Sequence, residues 1–323
     1  MEKFWNGYNS IVEELNEVKS IIDENIVEGQ RYLREPLKPV IDKGGKMLRP
    51  AFFILSSKFG DYEKDKMYNM AATIEILHIA TLIHDDIIDE AKLRRGSESI
   101  QSKYGKDFAV YAGDYLFSQC FLMLSKYKYK EENLKNLPKL ISKICIGEMR
   151  QYNLRYCVDT NFKNYLKIIS AKTAALFAIS LSSGALESNC SERLVKRLGK
   201  IGYCIGMAFQ IIDDILDFTG DSAVLGKSAQ KDLIRGYYTI PLIFAMQNDE
   251  GEYIKEILNN TDFNEKDVKK LVELVKLNGG IDKARELAKK YTAKVYNEIS
   301  RLPECESKNV LLDISRRLLD RDY

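Results

Sequence analysis

Two histidines, six prolines and one tryptophan in 323 residues already narrow what this chain can be. With only His78 and His84, few positions can serve as a histidine base. The six cysteines, at 120, 145, 157, 190, 204 and 305, lack Cys-x-x-Cys or Cys/His metal spacing, the pattern of reduced core thiols rather than of a disulfide framework. A cytoplasmic location follows from that usage. A formal charge of +2 excludes the strongly basic footprint of a nucleic-acid binder, so no nucleic acid is expected and the partner should be a small anion. Long apolar runs are missing as well. Charge-free stretches such as Thr173 to Leu186 fall short of the roughly 20 residues that a membrane-spanning helix needs, so no transmembrane segment is expected. Nor does the amino terminus carry the cationic segment, apolar run and cleavage site of a secretory signal. The chain is expected to start near Met1 and to be soluble, at most peripheral to a membrane.

Scarce proline and long Leu/Ile/Lys/Glu-rich stretches between breakers favour helices, and period-two alternation of the strand kind is rare. Trp5, Tyr8, Ile11, Leu15, Val18 and Ile22 recur at three- and four-residue steps, one face of an opening helix. Near the other end, Asn264 with Asp267 three residues on starts a helix through Leu271, Leu274 and Val275 that stops at Asn278-Gly279. Between them the pattern predicts helices at about 50–60, 65–90, 105–126, 132–156, 161–183, 191–218, 240–248 and 281–300. There is no repeat and no low-complexity linker. Length alone would allow two domains at roughly 150 residues each. The expectation is nevertheless one domain over 1–323, an all-α bundle of about ten or more helices around a central cavity.

Against these absences stand two aspartate pentapeptides, Asp85-Asp86-Ile87-Ile88-Asp89 and Asp213-Asp214-Ile215-Leu216-Asp217. With 22 Asp in the chain, a chance pair of such motifs is expected on the order of 0.005 times, so a functional reading is required. In a helix the first and fifth residues share one stripe, about 40° apart and one turn in height. Like charges that close cost stability, and the spacers are Ile and Leu rather than compensating Lys or Arg. Carboxylates on an otherwise apolar helix point to a partly buried divalent-cation site, and hard oxygen donors to Mg²⁺ rather than Zn²⁺.

Basic residues surround both motifs. Gly44-Gly45-Lys46-Met47-Leu48-Arg49-Pro50 precedes the first, and Arg94-Arg95-Gly96 follows it. Phe209-Gln210 precedes the second, with Gly226-Lys227, Lys231-Asp232-Leu233 and Gly236 to Pro241 after it, and Lys172-Thr173 between the two motifs. Lys46 and Arg49 are i, i+3 neighbours if helical, a point charge beside a planar fork that suits a phosphate. Any one of these residues alone is most often a solvated surface charge. Together with two acidic motifs they point to an anionic, metal-bridged ligand, and diphosphate fits best.

The stretches GGKMLRP, EILHIATLIHDDIIDEAKLRRG, GEMRQ, SAKTAALF, FQIIDDILDFTGD, LGKSAQKDL and GYYTIPL run in order from Gly44 to Pro241. In them the chain resembles the trans-isoprenyl diphosphate synthases, the head-to-tail polyprenyl synthetase family, and its medium- and long-chain members in particular. The resemblance implies the isoprenoid synthase fold and about three Mg²⁺ per site. Asp85 and Asp89 would bind two from one helix and Asp213 a third from a facing helix, with Asp86, Asp214 and Asp217 in support. Arg94, Lys172 and Lys227 would hold the diphosphate of the allylic substrate; Lys46, Arg49, His78 and Arg95 that of isopentenyl diphosphate. Thr173 and Gln210 would face the allylic cation, and the proton would leave to the departing diphosphate. His84 points about 100° away from Asp85, which favours a structural role. One departure from the family stands out: Gly236-Tyr237 replaces a frequent Gly-Lys, which removes the usual cation there and makes Lys231 the candidate to compensate.

Small residues at Ala80 and Thr81, five and four positions before Asp85, stand where short-chain members commonly carry an aromatic. The first motif also lacks the two extra residues of bacterial short-chain members. Leu77 and Ile74 continue along the same tunnel. These features imply an all-trans product of around C30 to C40, used as a quinone side-chain precursor. The competing readings are a farnesyl or geranylgeranyl diphosphate synthase, a class I terpene cyclase, which would normally lack the second Asp motif and the isopentenyl site, and a degraded partner subunit, which would have lost the aspartates. A homodimer is expected, with a heteromer containing a small regulatory subunit as the alternative.

Overall fold

A computed structural model describes residues 4–27, 31–42, 45–219, 232–248, 250–260 and 263–320. Among them fifteen α-helices and one minimal hairpin make up the regular structure, so the chain is all-α. Its contacts sort into two compact units, Met1–Lys135 with Ser180–Lys196 and Asn136–Ile179 with Arg197–Tyr323.

The first unit holds α1 (Asn9–Val27), α2 (Arg31–Asp42), α3 (Leu48–Ser57), α4 (Lys64–Ile88), α5 (Ile100–Tyr104) and α6 (Lys106–Leu124). Leu93–Arg94 and Ser97–Glu98 pair antiparallel, Leu93 opposite Glu98 and Arg94 opposite Ser97. Helix α4 is its axis: Met67 through Leu77 are buried without a break, as in a helix packed on every side. It packs on α1, α3 and α6. Asn69 Nδ2 donates to the Met123 carbonyl at 2.9 Å, while His84, four turns later, meets the Val110 carbonyl at 3.3 Å. That order makes α4 and α6 antiparallel.

Part of α7 (Glu131–Asn153) and of α10 (Glu192–Thr219) belongs to the second unit. So do α8 (Phe162–Ile169), a π-helical turn at Ser170–Ala174 and the start of α9 (Ala175–Glu187). The remainder is α11 (Ile240–Ala245), α12 (Gly251–Leu258), α13 (Glu265–Leu277), α14 (Gly280–Ser300) and α15 (Glu306–Leu319). Helix α11 packs on α13 and α14, and Phe162 of α8 stacks on Phe244 of α11 at 6.1 Å.

The Asn264–Asp267 capping box forms as its residues require, with Lys266 N donating to Asn264 and Asn264 N to Asp267. The opening helix starts later than its apolar stripe suggests, because Trp5 is fully buried ahead of it, its indole N–H donating to the Lys46 carbonyl at 2.6 Å. Helix α2 is absent from the periodic pattern since Pro36 and Pro39 read as breakers; packing on α1 holds it helical. The stretch 105–126 is α6, and the short α5, absent from the periodic pattern, precedes it across Gly105. Helical residues Phe162–Glu187 form a longer apolar run than the charge-free stretch inside it, long enough by composition to cross a membrane, yet 67% of its most apolar window is buried, as in a core helix.

Candidate active site

Asp85 through Ile88 close α4, and Asp89 caps it, its N–H donating to the Asp85 carbonyl at 2.8 Å. Asp85 and Asp89 therefore stand one turn apart on one stripe, both half-buried. Asp86 turns the other way and is buried, its Oδ1 accepting from Arg94 Nε at 2.8 Å and from a second guanidinium nitrogen. Arg94, expected at the allylic diphosphate, is thus paired with the second aspartate of the motif. Asp86 is a brace rather than a member of the open stripe.

Behind that brace the predicted isopentenyl set converges. The Arg95 guanidinium lies over Gly45, where a Cβ would come within 2.8 Å, so a side chain there would push the guanidinium aside. Burial lowers the Arg49 guanidinium to about 10, with Arg95 acting in the same direction and Glu75 opposing. Burial also takes His78 well below its ordinary value, followed by Arg49, Arg95 and Arg94, so the ring is neutral at neutral pH and can offer a phosphate one N–H but no charge. Lys46 follows Gly45 directly, its ammonium 4.6 Å from the Phe4 ring. Glu75, which sequence reading missed, is the counter-charge. It is 4% exposed, its Oε2 has no hydrogen-bond partner among the described residues, and burial raises its pKa against the pull of Arg49 and Arg95. The available signal was an acid one turn before His78 in the mostly apolar middle of α4. A cavity of about 290 Å³ opens beside this set, with Glu75, Ile79, Asp86, Arg94 and Arg95 among its walls.

In the second unit the π-turn at Ser170–Ala174 presents Lys172 and Thr173 together; such turns often mark functional sites. Lys172 Nζ lies 2.9 and 3.0 Å from the two Glu148 oxygens and 3.2 Å from Gln151 Oε1, which assigns GEMRQ the task of holding that lysine. Thr173 Oγ1 donates to Gln210 Oε1 at 2.8 Å, and Gln210 Nε2 to Asp214 Oδ1 at 2.9 Å. The other Asp214 oxygen accepts from Tyr165 OH at 2.6 Å. Asp213 and Asp217 are half-buried, whereas Asp214 is buried, and burial pushes its carboxyl up to about 8 against its two hydrogen bonds. Close approach of α10 to the turn depends on Gly206, whose absent Cβ would lie 2.5 Å from Ala174 Cα. Gly206→Ala should therefore lower stability by about 1–3 kcal/mol in urea unfolding, since backbone rather than a flexible side chain must give way.

Gly226, Lys227 and Lys231 lie outside the described residues. Tyr237 has a packing role that accounts for the departure from Gly-Lys: the Arg155 guanidinium lies over the rings of Tyr152, Tyr156 and Tyr237 at 5.5, 5.3 and 5.3 Å. Of the chain-length residues, Ile74, Leu77 and Ala80 are fully buried and Thr81 is half-buried, its hydroxyl donating to the His78 carbonyl. Ala80 shares a stripe of α4 with Thr73 and His84, the stripe that meets α6. His84 itself packs on Phe117 at 5.5 Å and lies 3.4 Å from Asp114, in keeping with a structural role.

No three His, Cys, Asp or Glu side chains among the described residues form a ready cation cage. The donors present fit Mg²⁺ all the same, because that ion keeps several waters and is typically held by one or two carboxylates plus substrate phosphates. Asp85 with Asp89 supplies such a pair, and Asp213 with Asp217 a second.

The family model described as polyprenyl synthetase matches residues 30–275. The chain is 32% identical over 321 residues to heptaprenyl diphosphate synthase component 2 of Bacillus subtilis, covering 99% of this chain and 92% of that protein. Among solved structures it resembles geranylgeranyl pyrophosphate synthase from Lactobacillus brevis, with a TM-score of 0.94 and 32% identity over 99% of this chain and 100% of that one. Heptaprenyl diphosphate synthase from Staphylococcus aureus is similar too, with a TM-score of 0.91 and 32% identity over 97% and 99% of the two chains.

Proposed function

The chain belongs to the polyprenyl synthetase family and is a prenyltransferase, and we propose that it condenses isopentenyl diphosphate with an allylic diphosphate to an all-trans product of around C30 to C40. The observation that carries this is the Asp85–Asp89 stripe beside the Arg49–His78–Arg95 set in one unit: an acidic pair for a metal-bound diphosphate next to cations for a metal-free one. A cyclase would need only the first.

Asp85, Asp89 and Asp213 would hold Mg²⁺, with Asp217 in support. When bound, that ion supplies charge neutralisation of the allylic diphosphate, making it a leaving group. Lys172, released from Glu148 and Gln151, adds a point charge to the same diphosphate, with Lys227 as its proposed companion. Arg49, Arg95 and Lys46 neutralise isopentenyl diphosphate while the neutral His78 donates one hydrogen bond. The Thr173 hydroxyl and Gln210 amide oxygen face the developing allylic cation, stabilising it by fixed dipoles. The double bond attacks, and the proton leaves to the released diphosphate, so no side-chain base is required.

Residues 30–275 of the family match run through both compact units, which supports one polyprenyl synthetase domain over the chain. Exposed Tyr111, Phe121 and Leu122 on α6 favour a protein partner, a second copy or, following the name of the Bacillus subtilis relative, a separate component. A cytoplasmic site of action, peripheral to the membrane that takes up the product, fits a hydrocarbon product of this length. The Lactobacillus brevis likeness makes C20 the second reading. Incubating the purified chain with Mg²⁺, farnesyl diphosphate and labelled isopentenyl diphosphate should give labelled products beyond C20, abolished by EDTA. Elongation that stops at C20 would favour the second reading, and none at all, alone or with a small partner component, would overturn both.

A further inference from the structure

We propose that Tyr165 and Asp214 are positioning residues for allylic ionisation: they fix the Gln210 amide so that its oxygen, with Thr173, faces the cation. The proposal rests on the prenyltransferase reading and departs from a metal-supporting role for Asp214. Both Asp214 oxygens are already engaged inside the protein, one by Tyr165 OH at 2.6 Å and the other by Gln210 Nε2 at 2.9 Å. The carboxylate is 4% exposed and Tyr165 5%, so neither faces a ligand directly. An amide can present its oxygen or its nitrogen in either direction, and free rotation would put an N–H donor, with the wrong dipole, toward a carbocation. Asp214 removes that freedom because its Oδ1 accepts from Nε2 at 2.9 Å while Tyr165 occupies Oδ2, which turns Nε2 toward Asp214 and Oε1 toward Thr173, whose hydroxyl reaches it at 2.8 Å. Tyr165 in turn prevents the carboxylate from rotating away. Four groups on α8, the π-turn and α10 thus form one ordered chain, Tyr165 to Asp214 to Gln210 to Thr173. Preorganised dipoles of this kind act on the transition state and little on the ground state.

Tyr165→Phe keeps the ring and deletes one O–H. It should lower kcat about 10- to 100-fold with KM for both substrates within about twofold, and raise the ratio of prenyl alcohol, from water capture, to elongated product. Binding of a non-ionisable allylic thiodiphosphate by calorimetry should be unchanged. In a Gln210→Met background, Tyr165→Phe should have no further effect on kcat, because the two act through one amide. Multiplicative losses in the double variant, or a raised KM at constant kcat, would overturn the positioning role. So would a fall in kcat that disappears on assay well below a lowered melting temperature, since a purely structural role predicts it. A wild-type chain that fails to elongate in the parallel arm would instead sink the prenyltransferase reading, and the proposal with it.

Discussion

Asp85→Ala should reduce elongation by about 10²- to 10³-fold while leaving the metal-free protein as stable as before, or more so. The size of the loss follows from the chemistry. A triply charged diphosphate leaves only when its charge is neutralised, and removing one charged group from such a site typically costs about 3–4 kcal/mol of transition-state stabilisation. The sign of the stability change follows from position. Asp85 and Asp89 stand on one stripe at the carboxy-terminal turn of α4, where their mutual repulsion and the helix dipole both oppose negative charge. Deleting one relieves about 0.3–1 kcal/mol in the absence of metal. A melting temperature in EDTA that is equal or higher, together with lost turnover, is the expected pair of readings. Asp86→Asn, one residue along, should do the opposite: it leaves Arg94 without its counter-ion beside a buried site and should lower stability. If Asp85→Ala retains more than a tenth of wild-type elongation, the metal-binding assignment of this stripe is wrong.

The contrast between Asp85 and Asp86 also marks how far the sequence could be read. Spacing alone put Asp85 with Asp89 and Asp213 with Asp217, because helical geometry fixes which positions share a stripe. It could not say that both middle aspartates are internal braces, since Arg94 comes from a hairpin and Tyr165 from another helix. Glu75 escaped for a related reason: a lone acid in an apolar helix gains meaning only when Arg49 and Arg95, far from it in sequence, arrive beside it. The π-turn left no periodic trace either, because five residues of wider winding leave the apolar pattern on both sides intact. Where local rules dominate, as in the Asn264–Asp267 cap, sequence and structure agree closely. Helix α2 shows the converse, with packing on α1 outweighing two prolines.

Ala80→Tyr should shorten the product to about C10–C15, the second large effect expected of this chain. At 1.5 Å per residue, Ala80 lies about 7.5 Å along α4 from Asp85, and an extended isoprene unit is about 5 Å long, so a wall there stands about one and a half units beyond the aspartate and stops the tail as its second or third unit is added. Leu77 and Ile74, about 12 and 16 Å from Asp85, would stop the tail later. Ala80 is fully buried on the stripe facing α6, so a phenol ring must displace packed neighbours and should cost about 1–3 kcal/mol of stability. Thr81→Tyr separates the two effects. Thr81 is half-buried one turn before Asp85 on the same stripe, and a ring there extends along the aspartate face without repacking the α4–α6 seam. Both variants should therefore give short products by mass spectrometry, with Thr81→Tyr close to wild-type stability and Ala80→Tyr below it. Unchanged product lengths in two folded variants would mean that the hydrocarbon tail does not pass this face of α4, and would leave the length of the product to be set elsewhere.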